Sequence, residues 1–294
     1  MTSRREFIGT LAAAGMVGVV AGAEAKKGRI LFGACRGFGD AKLLKSVGYD
    51  FIECGVANSL IPDKDDEKWK KQRDMVLALP VPLRSCNGFL PGKFRLTGDK
   101  ASFDIPLKYA EKACRRADEV GLKVIVFGSG GARNAPKGFP IEKAVDQFVD
   151  FGRRLAARIS DCKVEIVLEP LQPREANFLN FVREGKTICE RIGSPRIKLL
   201  ADIFHMEQGG EGAQSIELAG ADLLRHCHIA EKGPRTAPGM SGDGSEFVPY
   251  FAALRKIGYT GGVSCECGWG KKEQLGKNLE KALVVMRKLA ESTT

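Results

Sequence analysis

The sequence predicts an α/β fold, a (β/α)8 TIM barrel in a single domain, on three observations. Eight short β-rich runs fall at 29–34, 50–54, 82–86, 123–127, 164–169, 197–202, 225–230 and 262–266. Amphipathic helical patterns separate them, at 41–47, 67–79, 107–120, 141–159, 178–192, 215–219, 246–257 and 271–289. Such alternation implies a parallel sheet, and eight units in about 265 residues match the count and size of a closed barrel. The third observation removes the doubly wound alternative. The glycines of Gly33-Ala34-Cys35-Arg36-Gly37-Phe38-Gly39 after the first run have the wrong spacing for a dinucleotide fingerprint. The turn Gly128-Ser129-Gly130-Gly131 loosely resembles a phosphate loop, but no Lys-Ser/Thr pair follows it.

Composition narrows the function classes. Hydrophobic residues at 44% and charged residues at 28% describe a globular chain rather than a disordered or fibrous one. The 46 basic and 36 acidic residues leave a net charge of +10. Pairs such as Lys70-Lys71 and Arg153-Arg154 lie among acids in helical stretches, so they read as solvated helix faces. Aromatic residues do not interleave with them, and no nucleic-acid partner is expected. The nine cysteines are odd in number and evenly spread, which fits small buried hydrophobes better than a disulfide framework.

Residues 1–25 read as an export signal. A charged start with Arg4-Arg5 and Phe7 precedes an apolar run from Thr10 to Ala23, and Ala23-Glu24-Ala25 offers small residues for cleavage. The arginine pair resembles a twin-arginine signal, which implies a periplasmic or extracytoplasmic location. No membrane contact is expected after cleavage, whereas an uncleaved signal would anchor the chain. Residues 26–294 then form the barrel. Export after folding would let the thiols bury themselves before meeting an oxidising compartment.

The chemistry collects at the ends of four consecutive runs. The fifth ends in Glu169, the sixth in Asp202 followed by His205, the seventh carries His226 and His228, and the eighth ends in Glu266. In a barrel these ends share one mouth. Three carboxylates and one imidazole suit one divalent ion of intermediate hardness. Mn²⁺ stands first, with Co²⁺, Mg²⁺, Zn²⁺ or Fe²⁺ as alternatives. Without a cation, such crowding would bury uncompensated charge. The chain has three histidines, and all fall at two neighbouring strand ends. Period-2 alternation puts His226 on the same side as His228, deeper in the barrel. By the same alternation Cys265 and Cys267 point away from the side Glu266 faces, which leaves thiolate ligands a minor alternative.

These stretches resemble the sugar isomerase/epimerase superfamily of xylose isomerase-like barrels, nearest its D-tagatose/D-psicose 3-epimerase and hydroxypyruvate isomerase branch. The residues that carry the resemblance are Glu169-Pro170-Leu171 through Asn180, Asp202-Ile203-Phe204-His205-Met206, and His226-Cys227-His228-Ile229-Ala230-Glu231. To these are added Arg235-Thr236-Ala237-Pro238-Gly239 with Gly242-Asp243-Gly244, and the segment Gly258 to Glu266. The resemblance implies that Glu169, Asp202, His228 and Glu266 bind the metal. It also implies that Glu169 and Glu266 remove and return the substrate proton, and that His205, Arg235 and Glu175 contact the substrate. Arg235 lies one residue further from His228 than the pattern, and Gln172-Pro173-Arg174 replaces the more usual segment; both touch substrate-facing loops.

The expected reaction is therefore metal-dependent epimerisation or isomerisation of a sugar or keto-sugar through an enediolate, with a small carbohydrate as partner. A homo-oligomer is compatible with the sequence. The alternative is a lyase or hydrolase acting on oxidised 3-keto glycosides in the same site. A metal-free binding barrel is a third reading. The related DNA-repair endonucleases, with their His-rich metal clusters, fit poorly with three histidines.

Overall fold

In the computed structural model, which describes residues 28–292, eight parallel strands pair in chain order and close β8 onto β1. They are β1 (Leu31–Cys35), β2 (Phe51–Gly55), β3 (Leu83–Asn87), β4 (Val124–Phe127), β5 (Glu165–Leu168), β6 (Ile197–Asp202), β7 (Leu224–Ile229) and β8 (Gly262–Cys265). Each coincides with an expected run to within two residues. The predicted leader at 1–25 lies outside the described residues. Among the described residues no helix is long and apolar enough to cross a membrane.

Helices follow every strand and wrap the barrel. Ile141–Arg158 shows why: Ala144, Phe148, Phe151, Leu155 and Ala156 recur at helical spacing and bury one stripe against the sheet. Asp65 caps the helix Asp66–Leu77 by accepting from the Lys68 amide at 2.9 Å. The expected helix at 178–192 instead begins at Val182. Its first four residues belong to a loop whose carbonyls at Phe178 and Leu179 accept from the buried Arg133 guanidinium. Three short helices were not expected: Val56–Ser59, Gly130–Arg133 and Ile203–Gly209.

Alternation along the strands sorts side chains into two cores. Outward residues such as Phe32, Ile52, Cys86, Ile125, Leu199, Cys227 and Cys265 join the large layer beneath the helices. Inward residues Val124, Val126, Val167 and Leu200 form a separate small cluster inside the barrel. Phe51 completes this floor, with its ring 6.0 Å from that of His226. Glycine makes the room. A Cβ on Gly33 would sit 2.2 Å from the Phe51 ring, and one on Gly262 would lie 2.9 Å from the same ring.

The nine cysteines are all free thiols, and they differ in exposure. Seven are buried, and Cys35 is half-buried with its thiol pushed well up by burial and by Glu53 and Glu266. Cys265 faces outward as expected, against Met286. Cys267 corrects the expectation: it lines the same cavity as Glu266. Strand β8 ends at Cys265, so period-2 alternation no longer governs the residues beyond it.

Two outcomes follow. Gly33→Ala should lower unfolding free energy by about 1–3 kcal/mol through overpacking against Phe51, read from urea denaturation. Native alkylation followed by peptide mass spectrometry should label Cys267 first and reach the seven buried thiols only after denaturation.

Candidate active site at the barrel mouth

The inward positions nearest the C-terminal end of the sheet bring the predicted residues together. Glu169 follows β5, Asp202 ends β6, His228 lies in β7 opposite Asp202, and Glu266 follows β8. One ligand atom from each of these four lies within 4.8 Å of the others. The His228 Nδ1 is 2.9 Å from Glu169 Oε1 and 3.4 Å from Glu266 Oε2. Above them opens a cavity of about 450 Å³ lined by Glu169, Glu175, His205, Arg235 and Glu266, among others.

Local structure explains each placement. Asp202 doubles as the N-cap of Ile203–Gly209, accepting from the Phe204 amide through Oδ1 at 2.8 Å and leaving Oδ2 for the site. That helix turns His205 back, with Nε2 3.4 Å from Asp202 Oδ2. The Gln172 amide donates to His205 Nδ1 at 3.3 Å, which leaves the proton on Nε2, facing the cavity. Gly128 makes space for Glu169, since a Cβ there would meet its carboxylate at 2.2 Å. The glycine turn after β4 thus serves close approach rather than phosphate binding.

Arg235 holds the two outer acids. Its Nη2 donates to Glu266 Oε2 at 2.5 Å and lies 3.3 Å from Asp202 Oδ2, and its guanidinium stacks 4.4 Å from the centre of the Phe204 ring. Arg235 has a φ of 49°, and Ser129, which also lines the cavity, has 39°. Strained backbone of this kind gathers at functional sites. Glu175 accepts from the Gln172 side-chain amide at 2.7 Å and lines the cavity.

Electrostatics separate the carboxyls. Burial pushes Glu169 up, opposed by His228 and reinforced by the charges of Glu266 and Asp202. Burial also acts to raise Glu266, but the His228 imidazolium and Arg235 outweigh it and hold Glu266 at about 2. Burial works to lower His228, yet Glu53, Glu266 and Glu169 overcome it and raise it well above the usual histidine value. Groups so pushed apart suit separate acid and base tasks.

Sequence reasoning missed three residues. Glu53 in β2 is fully buried and bonds both His226 and His228. Asn87 at the end of β3 donates to Glu266 Oε1 at 3.0 Å. Arg133, also fully buried, donates to the carbonyls of Gly128 at 2.7 Å and Leu179 at 3.2 Å, and so braces the loop after Glu169. The signal for Glu53 was an acid at an alternate position within an apolar strand. His226 lies deeper than His228, as alternation predicted.

Comparison with known proteins agrees with the barrel fold. Residues 41–289 match the family described as the xylose isomerase-like TIM barrel. A D-psicose 3-epimerase of Agrobacterium fabrum is 30% identical over 232 residues, 75% of each chain. An L-ribulose 3-epimerase of Methylomonas sp. is 31% identical over 138 residues, 47% of this chain and 46% of the relative, so the chain spans about half the length of that relative. The crystal structure of D-psicose 3-epimerase from Clostridium cellulolyticum H10 with D-tagatose superposes with a TM-score of 0.78 at 18% identity, covering 90% of this chain and all of that one. With a match over most of its length, the chain belongs to the xylose isomerase-like TIM barrel family.

Proposed function

We propose that this barrel is a divalent-metal-dependent epimerase or isomerase of a ketose or keto-sugar, working by proton transfer next to a ketone. The observation that carries the reading is the convergence of Glu169, Asp202, His228 and Glu266 within 4.8 Å. The relatives named as ketose 3-epimerases support it. The donor set fits an ion. Three carboxylates and one imidazole nitrogen suit Mn²⁺ first, then Co²⁺, Mg²⁺, Zn²⁺ or Fe²⁺. Glu169 is pushed upward by burial first and then by the charges of Glu266 and Asp202, a cost that a cation would relieve.

When bound, the ion supplies Lewis-acid stabilisation of the negative charge that develops on the substrate oxygens as an enediolate forms. The chain's own groups do the rest. Glu169 and Glu266 enter from different strands, β5 and β8, on two sides of the mouth. One removes the proton from the substrate carbon and the other returns a proton from the opposite face, which inverts that centre. Return of the proton to the neighbouring carbon instead gives aldose–ketose isomerisation. His205, through Nε2–H, and Arg235 donate to substrate oxygens, and Glu175 accepts from a hydroxyl at the rim. The reaction is proposed to run outside the cytoplasm, on the strength of the twin-arginine-like leader.

The test is solvent-deuterium incorporation by Mn²⁺-loaded protein across a panel of ketoses and 3-keto glycosides. Exchange into a ketose with altered configuration supports the reading; release of an aglycone without exchange assigns the site to elimination instead. Glu169→Gln and Glu266→Gln should each reduce exchange by about 10²–10⁴-fold with the fold intact by circular dichroism. Exchange should also stop on chelation and return with added Mn²⁺.

A further inference from the structure

Below the mouth lies a buried polar layer that the proton-transfer reading does not use. It consists of Glu53, Ser85, His226 and Ser264, each no more than 1% exposed. Glu53 stands at its centre. Its Oε1 lies 2.9 Å from His228 Nε2. Its Oε2 lies 2.8 Å from His226 Nε2 and accepts from Ser85 Oγ at 2.6 Å and Ser264 Oγ at 2.8 Å. A carboxylate only accepts, so both imidazoles carry their proton on Nε2. The His228 ring is thereby held between two sets of acids: Glu53 on the Nε2 side, and Glu169 and Glu266 on the Nδ1 side.

Resting on the metal-dependent reading of the site, we propose that Glu53 is a positioning residue that fixes His228 with Nε2 protonated and Nδ1 turned toward Glu169, Asp202 and Glu266, where a cation, when bound, would take the place of the Nδ1 proton. An imidazole that offers one nitrogen to a cation must keep its proton on the other. That proton is here fully buried, beyond the reach of water, and needs an acceptor. A charged acceptor also raises the basicity of the ligating nitrogen. The three further donors on Oε2 hold the Glu53 carboxylate so that it cannot rotate away. Arg235, Asn87 and Phe204 contact other members of the site and do not replace this acceptor.

Cys35, Glu53 and His228 also lie close enough to suggest a cation site of their own. The donor pattern argues against it. The Cys35 Sγ is itself 3.7 Å from the Asn87 side-chain amide, which donates to it. Both Glu53 oxygens are already occupied by donors. Glu53 thus acts on the mouth only through His228.

The test uses the full chain without a histidine tag, so that its three histidines are the only imidazoles. First, ¹⁵N-histidine spectra of the wild-type Zn²⁺ form should show His228 protonated at Nε2 and metallated at Nδ1. Zn²⁺ on Nε2 of His228 overturns the proposal without any variant. Second, Mn²⁺ titration calorimetry compares wild type with Glu53→Gln, whose amide accepts at one end only, and with Ser85→Ala, which leaves both imidazoles paired. Glu53→Gln should weaken Mn²⁺ binding about 10–100-fold, and Ser85→Ala by less than about 3-fold. A merely structural role would lower the melting temperature of Glu53→Gln with its Mn²⁺ affinity unchanged, and that result overturns the proposal. Wild-type protein that binds neither Mn²⁺ nor Zn²⁺ overturns both the proposal and the reading beneath it. Wild-type binding matched by Glu53→Gln overturns the positioning role alone.

Discussion

Three carboxylates packed around one imidazole, in a place the solvent barely reaches, set the terms for the rest of the molecule. Two unit charges 4 Å apart interact by about 4 kcal/mol at an effective dielectric constant near 20. Like charges at that range must be neutralised, protonated or balanced. The chain itself contributes the raised His228 and the guanidinium of Arg235, which bridges Asp202 and Glu266. Glu169 bears the rest of the cost: burial, reinforced by the charges of Glu266 and Asp202, pushes its carboxyl upward. A site arranged in this way favours a further positive charge at its centre.

The barrel makes this arrangement affordable because its layers divide the work. The apolar floor of Val124, Val126, Val167 and Leu200 excludes water from below. The Glu53 layer satisfies the lower edges of both strand-β7 imidazoles. The mouth layer presents Glu169, Asp202, His228 and Glu266, and the loops beyond it are held by buried contacts such as Arg133, whose own pKa burial lowers to about 10. Small residues appear where the layers need space: Gly33 and Gly262 for Phe51, and Gly128 for Glu169. Stability and chemistry therefore draw on the same inward positions, and a volume change in the floor would be felt at the mouth.

Much of this was legible in the sequence because period-2 alternation and strand-end position are local signals. The eight strands, their parallel order, and the meeting of Glu169, Asp202, His228 and Glu266 could all be read from runs and their endings. Glu53 was harder. Both faces of a strand in a parallel barrel are buried, so inward and outward positions look alike in composition. An acid between Ile52 and Cys54 acquires meaning only when its partners, 173 and 175 residues away, are known to face it. Arg133 was hidden for a related reason: the carbonyls it binds at Phe178 and Leu179 lie across a loop whose path no local pattern specifies. That loop also displaced the start of the expected helix at 178–192. Cys267 departed from expectation where the strand, and with it the alternation, stops.

The central claim is that four side chains distant in sequence share one cation. The most direct measurement is anomalous diffraction above and below the manganese edge, from crystals grown with Mn²⁺. One anomalous peak enclosed by Glu169, Asp202, His228 and Glu266, with the nitrogen contact made by His228 Nδ1, is the predicted result. Saturating Mn²⁺ that leaves this position without anomalous density, or places the ion elsewhere in the barrel, would contradict the account.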